Sequence, residues 1–249
     1  MMILHAPLPR YFMIGLLVLW GVFLFGGFVF GNSSETHRMP TWMRMASSTT
    51  LVVAGWSWFW VSRGSGIRPF PLYIALGMTF GLLGDLILAD LLPGGRSVPA
   101  GILSFGIGHI LYIIGILQFG NQQGLNAGSL RWGTLIVWLM IGVVGWYFVV
   151  YRGQSATILH WIALPYALLL AGTTGFATGL AFQSTLFVPF ACGAALFLFS
   201  DLILAAELFN GLKFRSIGDV IWLTYGPGQM LIVYAIGAAM RFSSYPSLM

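Results

Sequence analysis

Charged side chains are scarce in this chain, making up only 7% of its 249 residues, whereas roughly a quarter of the residues in a typical soluble domain are charged. Hydrophobic residues make up 58% of the sequence, and the mean hydropathy is +0.90. This balance excludes a soluble globular domain. The chain is therefore predicted to be an integral membrane protein in a lipid bilayer.

Strict alternation of apolar and polar residues is also missing, because the apolar runs are continuous. Helices and closed barrels are the structures that satisfy backbone polar groups in lipid, and continuous runs favour helices. A span needs roughly 20 apolar residues. The sequence predicts an all-α protein with one polytopic membrane domain over 1–249 and about eight transmembrane helices, near residues 11–31, 45–62, 70–91, 98–119, 132–151, 157–181, 186–207 and 217–240.

Other absences narrow the function. The chain has 11 basic and six acidic residues, and the basic residues are scattered singly rather than in a run, so no nucleic-acid partner is expected. One cysteine, Cys192, permits no intrachain disulfide. The sequence contains no nucleophile elbow, P-loop or HExxH pattern. We expect neither a metal nor a cofactor.

Two of the six acids interrupt apolar helices in the same way. Asp85 stands in the segment GDLILA and Asp201 in the segment SDLILA. A carboxylate in hydrocarbon is costly, and such a residue usually faces the interior of the helix bundle and marks a functional site. Asp85 and Asp201 are therefore the predicted catalytic residues.

The same alignment predicts an internal repeat. It pairs the third span with the seventh, and it pairs GIGH at 106–109 with GPGQ at 226–229. Paired spans separated by an even number of crossings run in the same direction, so the prediction is two parallel four-helix repeats, approximately 1–125 and 126–249. If the halves pack about a pseudo-twofold axis, Asp85 and Asp201 can face one another across a central cavity.

Further polar side chains share helix faces with small residues. Offsets of four and three place His109 and Tyr112 on one face of the fourth span, and Tyr225 and Gln229 share a face of the eighth. Each can equally be an interhelical hydrogen-bonding residue. Near the start of the eighth span, Ser216 and Asp219 have the spacing of a capping box. The candidate residues for substrate binding, or for support of the acids, are His109, Tyr112, Tyr166, Ser200, Tyr225 and Gln229.

Two buried carboxyl groups at one site can supply an acid and a base. Loss of water disfavours the charged form, and a nearby carboxylate disfavours it further for one member of the pair. One carboxyl can then stay protonated while the other is ionised, which is the division of labour in glycosidases. In a membrane cavity the natural substrate is a lipid or another amphiphile.

Four motifs lie in order along the chain: GD at 84–85, GxxxFxxxHxxY at 101–112, GAxLFxxSD at 193–201 and YxxxQxLI at 225–232. Together they resemble the YhhN-like membrane proteins, a family that includes the animal lysoplasmalogenases. The chain departs from the family at its second span, where Arg44 stands in place of the usual Lys-Pro opening. The segment between the fourth and fifth spans, 118–131, is also longer than the family pattern.

The resemblance implies hydrolysis of the vinyl ether bond of lysoplasmalogens, which are 1-alkenyl lysophospholipids, to a fatty aldehyde and a glycerophospho-base. The partner would be such a lysophospholipid or another single-chain amphiphile. Asp85 and Asp201 would act as general acid and base, in either order. The protein would lie in the inner membrane of a bacterium or in the endoplasmic reticulum of a eukaryote.

Two other classes fit parts of the pattern. A proton-coupled membrane carrier could use the same acids as a relay. A zinc-dependent lipid amidase of the alkaline-ceramidase type would need several histidines within the membrane. His5 and His37 lie outside the predicted spans and His160 lies near an end, which leaves His109 alone.

Overall fold

The computed structural model describes residues 7–31 and 38–244, and these residues form helices and turns with no strand. Eight helices follow one another, as predicted. The first, α1, is Pro7–Gly21 and continues through a π-helical segment, Val22–Gly26, to Gly27–Phe30. The others are α2 (Thr41–Val61), α3 (Pro69–Leu88), α4 (Val98–Gln122), α5 (Gly128–Trp146, continued by the π-helical segment Tyr147–Tyr151), α6 (Ile158–Gln183), α7 (Val188–Asn210) and α8 (Ile217–Ser244).

Seven of these helices are long and apolar enough to cross a bilayer, which is consistent with a multi-pass membrane protein. The exception is α2, which is 21 residues long but less apolar. It carries Arg44 and the hydroxyl run 47–50, and Ser47 and Ser48 are buried. Polar side chains that face a protein interior lower the hydropathy of a helix without exposing it to lipid. Among the described residues, seven helices rather than the predicted eight or so are therefore long and apolar enough to span a membrane.

Neighbouring helices pack in antiparallel pairs that surround the two acids. The main pairs are α3 with α4, α5 with α6, and α7 with α8. The chain halves meet where α2 contacts α8 and where α4 contacts α6. Asp85 on α3 and Asp201 on α7 thereby lie among helices rather than toward lipid. We call the side on which α3 and α7 end the Arg96 face, after a residue of the loop that follows α3.

Glycines bring two of these helix pairs into close contact. A Cβ atom added to Gly108 of α4 would lie 2.9 Å from the carbonyl oxygen of Gly77 on α3. A Cβ atom added to Gly228 of α8 would likewise lie 2.9 Å from the carbonyl oxygen of Gly193 on α7. Small residues at such crossings let helix backbones approach closely in membranes. These crossings hold α3 against α4 and α7 against α8.

Replacing Gly77 with alanine is expected to destabilise the fold by about 1–3 kcal/mol, because a new methyl group must fit into a packed crossing. The added Cβ would overlap the ring of Tyr112 and lie 3.0 Å from the carbonyl oxygen of Gly108. Equilibrium unfolding in detergent micelles measures this loss. Gly133→Ala on α5 is the matched control, since no atom lies within 4 Å of its new Cβ. Equal stability of the two variants would contradict the role of the crossing.

The predicted capping box at the start of α8 is wrong. Ser216 has a φ of 63°, which is left-handed backbone. The buried Asp219 carboxylate instead accepts a hydrogen bond of 2.8 Å from the backbone N–H of Arg38. This contact ties the start of α8 to the chain just before α2. A three-residue spacing could not indicate it, because the partner lies 181 positions away in sequence.

Candidate functional site

Asp85 is buried and receives two hydroxyl hydrogen bonds. Its Oδ2 atom accepts from Ser48 Oγ of α2 at 2.6 Å and from Tyr225 Oη of α8 at 3.0 Å. Three helices therefore converge on this carboxyl group. An ionised carboxyl acts as an acceptor only, which suits two donors on one oxygen.

The neighbours of Tyr225 orient its hydroxyl group toward Asp85. Tyr112 Oη donates to Gln229 Oε1 at 3.0 Å, and Gln229 Nε2 donates to Tyr225 Oη at 3.2 Å. A phenol has one proton, so a Tyr225 oxygen that accepts from Gln229 directs that proton to Asp85. The Tyr112–Gln229–Tyr225 chain thus presents Asp85 with a hydroxyl donor. We call Asp85, Ser48, Tyr225, Gln229 and Tyr112 the Asp85 network.

Asp201 has a different environment. Tyr166 of α6 forms a hydrogen bond with Asp201 Oδ2. Ser200 Oγ lies 3.2 Å from Oδ1, but it also donates to the carbonyl oxygen of Phe197 at 2.8 Å. Among the described residues no other side chain donates to the Tyr166 hydroxyl, so that hydroxyl can donate to a carboxylate or accept from a carboxylic acid. The geometry is compatible with either protonation state of Asp201.

His109 lies between Tyr112 of the Asp85 network and Tyr166, the partner of Asp201. Its Nδ1 is 2.9 Å from Thr173 Oγ1 of α6, and its Nε2 has no hydrogen-bond partner among the described residues. The ring centroid lies 5.6 Å from that of Tyr112 and 6.3 Å from that of Tyr166. The imidazole therefore contacts one aromatic residue of each acid's surroundings.

A cavity of about 90 Å³ reaches Asp201. One water needs roughly 10–15 Å³ by the same measure, so the cavity can take several methylene-sized groups. Its lining comes from Leu88 at the end of α3, from Arg96 in the loop that follows, and from the parts of α4–α7 that run from near their middles toward the Arg96 face. Among the described lining residues the charged ones are Asp201 and Arg96, and the apolar ones include Ile102, Phe105, Trp146, Ala163, Leu170, Leu198 and Leu202.

Asp85 does not line this cavity. The predicted central cavity shared by Asp85 and Asp201 is therefore not present in the described part of the chain. Phe105 lines the cavity, and its ring lies against the backbone of Gly84. The same ring packs on Tyr225, with centroids 6.2 Å apart. Phe105 therefore stands between the cavity and the Asp85 network. Sequence could predict that both acids are interior, but it could not show the ring between them.

Comparison with protein families gives a match that covers most of the chain. A family model described as the YhhN family matches residues 41–236, which is most of the chain. The chain belongs to the YhhN family. Comparison with curated proteins and with solved structures gives no match. The matched range contains every residue of the site described above.

In this YhhN protein the predicted site residues occupy one region of the bundle. Asp201 and Tyr166 line the cavity, and Asp85, Tyr112, Tyr225 and Gln229 form the network beyond Phe105. His109 and Ser200 are buried beside them. Sequence reasoning did not select Ser48, Thr173 or Arg96. The hydroxyl run at 47–50 was the available signal for Ser48, since such a run is unusual in an apolar helix.

Arg44, the cation near the start of α2, is not part of the cavity lining. Its guanidinium donates to Thr41 Oγ1 at 2.9 Å and lies 5.6 Å from the centre of the Trp222 ring. Arg44 therefore packs α2 against α8. The cation that reaches the cavity is Arg96.

No group of three or more His, Cys, Asp or Glu side chains is placed to hold a metal ion within residues 7–31 and 38–244 of this YhhN protein. His160 accepts from the Thr157 backbone N–H through Nδ1 at 3.1 Å and so caps α6. His5 and His37 lie outside the described residues.

Proposed function

We propose that this YhhN protein hydrolyses the vinyl ether bond of lysoplasmalogens, releasing a fatty aldehyde and a glycerophospho-base. The observation that carries the proposal is the Asp201 carboxyl group inside an apolar cavity near one membrane face. The likeness to lysoplasmalogenases in the motifs around Asp85, His109, Asp201 and Tyr225 supports the same reaction.

The cavity suits an amphiphile with one hydrocarbon chain. Its walls are almost wholly apolar, and apolar walls bind a chain through the hydrophobic effect. Its lining lies in the half of the bundle toward the Arg96 face and near the middle. A substrate would then enter from that face or from the adjoining lipid. A carrier would need a path that reaches both faces.

Asp201 would act first as the general acid. Its O–H proton passes to the alkenyl carbon remote from the ether oxygen, which leaves an oxocarbenium ion and the Asp201 carboxylate. The carboxylate then takes a proton from water as that water adds to the cationic carbon. The resulting hemiacetal then gives up its hydroxyl proton, and the glycerol oxygen gains a proton as the bond to it breaks, giving one aldehyde and one alcohol with no net change in protons. Asp201 ends protonated, as it began.

Tyr166 and Asp85 would support these steps without exchanging atoms with the substrate. The Tyr166 hydroxyl can accept from protonated Asp201 and donate to its carboxylate, so it holds the group in both states. The Asp85 carboxylate, fixed by Ser48 and Tyr225, supplies negative charge on the other side of Phe105. Fixed charge of this sign favours a cationic intermediate.

The proposal includes the two parallel four-helix repeats. Gly193 and Asp201 lie 116 positions after Gly77 and Asp85 (193 − 77 and 201 − 85), so each third helix has its glycine and acid at the same spacing. Phe105 and Tyr225 are equivalent in the alignment of α4 with α8. Tyr225 donates a hydroxyl to Asp85, whereas Phe105 has none to offer and lines the cavity at Asp201. This difference would shield Asp85 from the substrate and leave Asp201 in contact with it.

Purified protein in detergent micelles, supplied with a 1-alkenyl lysophospholipid, is expected to release aldehyde and glycerophospho-base in equal amounts. The saturated 1-alkyl analogue should remain intact, because it cannot form an oxocarbenium ion by protonation at carbon. Mass spectrometry of both products measures the reaction. Movement of lipid or protons across reconstituted vesicles without any aldehyde would contradict the hydrolase and favour the carrier.

A further inference from the structure

Arg96 is a cation at the mouth of the cavity. It belongs to the loop between α3 and α4, its side chain is exposed, and it is one of the two charged residues in the described lining. Asp90, an acid of the same loop, makes no ion pair with it, since the one ion pair among the described residues joins Arg38 and Asp219. The guanidinium is therefore available to a ligand.

Local structure holds Arg96 in place. Gly94 and Gly95 have φ values of 107° and 80°, a left-handed conformation that glycine adopts at little cost. Ser97 then caps α4, its Oγ accepting from the backbone N–H of Ala100 at 3.3 Å. The chain thus turns sharply before Arg96 and enters a helix directly after it.

The other described cations on this face do not line the cavity. Arg38 lies 3.8 Å from the Asp219 carboxylate, and Arg152 lies over the ring of Phe148, 5.4 Å from its centre. Neither residue lines the cavity, and neither do Arg44, Lys213 and Arg215.

We propose that Arg96 binds the phosphate of the substrate's head group while the hydrocarbon chain occupies the cavity beside Asp201. The planar guanidinium can bind two phosphate oxygens at once, which a lysine ammonium cannot do in the same geometry. Arg96 would then select alkenyl lipids that carry a phosphate over neutral alkenyl glycerols. This inference rests on the proposed function for the identity of the chain, but its binding test does not require catalysis.

The binding test uses two lipids that the enzyme cannot cleave, a 1-alkyl lysophospholipid and the matching 1-alkylglycerol, each titrated into protein in a phosphate-free detergent. Arg96→Gln is expected to weaken binding of the phospholipid by about 10–100-fold, the usual effect of losing a charged hydrogen-bonding partner. Binding of the alkylglycerol should not change. Arg96→Lys keeps the charge but cannot bind two phosphate oxygens in the same geometry, so it should give an intermediate loss. Arg152→Gln is the control and should match the wild type.

The outcomes separate this inference from the proposed function. If the wild-type protein releases no aldehyde, the proposed hydrolase activity is contradicted. The binding titration would still decide whether Arg96 binds phosphate. Equal weakening of both lipids by Arg96→Gln, or no weakening of either, would overturn the phosphate site. Competition by millimolar inorganic phosphate would overturn the lipid assignment, because it would indicate a general anion site.

Steady-state kinetics provide a second test of the proposed contact between Arg96 and the phosphate. With the 1-alkenyl lysophospholipid as substrate, Arg96→Gln should raise KM and leave kcat nearly unchanged, because the contact is equal in the ground and transition states. With the 1-alkenyl glycerol, both constants should equal those of the wild type. A fall in kcat on both substrates would contradict a head-group contact.

Discussion

Asparagine in place of Asp201 is expected to lower the rate of aldehyde release by about 10²–10⁴-fold, the usual contribution of a general acid. The amide cannot give a proton to the alkenyl carbon, and it cannot take one from water. It is close in size to the acid, and its oxygen can still accept from Tyr166, so the bundle should remain folded. Initial rates with saturating 1-alkenyl lysophospholipid measure the loss, and circular dichroism and size-exclusion chromatography monitor the fold.

Glu207→Gln is the matched control, because Glu207 lies on the same helix as Asp201 and outside the cavity lining. It removes one negative charge from α7 without touching the proposed acid. Its activity should equal that of the wild type. Wild-type activity in Asp201→Asn would contradict the assignment of the acid.

Asparagine in place of Asp85 is expected to lower the rate by about 100-fold, the lower end of what loss of fixed electrostatic stabilisation costs an active site. Ser48 and Tyr225 both donate to Oδ2, so the single amide oxygen of asparagine can accept both hydrogen bonds. The charge is lost while the contacts are kept. The stability of this variant should therefore stay close to that of the wild type.

Asp85→Ala distinguishes charge from hydrogen bonding. It leaves two buried hydroxyl donors without an acceptor and is expected to cost about 1–3 kcal/mol of stability for each donor left unsatisfied. The measurements are initial rates and equilibrium unfolding for both variants. Equal instability of the asparagine and alanine variants would show that Asp85 is a structural residue.

The positions of helices and acids could be predicted from sequence because both follow from local cost. A long apolar run must be helical in lipid, and a carboxyl group in such a run must face protein. The eight helices and the interior placement of Asp85 and Asp201 could therefore be predicted. The ends of the helices were predicted less well. The predicted spans 70–91 and 186–207 put each acid six residues before a helix end (91 − 85 and 207 − 201), whereas Asp85 lies three residues before the end of α3 and Asp201 nine before the end of α7.

Lateral arrangement could not be read from the chain. The motif that contains Phe105 and His109 places both on one face of α4, but it does not show that the Phe105 ring borders the cavity while His109 contacts Thr173. The partner of Asp85 on α2, Ser48, is 37 positions away and belongs to no catalytic motif. Such contacts depend on helix packing, which a single sequence does not encode in its spacing.

The central claim is that Asp201 delivers a proton to carbon within the cavity. The most direct measurement is mass and chiral analysis of the aldehyde that the wild-type protein releases in D₂O, trapped at once by reduction to the alcohol. One deuterium at the carbon next to the former aldehyde group, in one enantiomer, is the predicted result, because a fixed carboxyl group reaches one face of the double bond. An aldehyde without deuterium, or one labelled equally on both faces, would contradict the account.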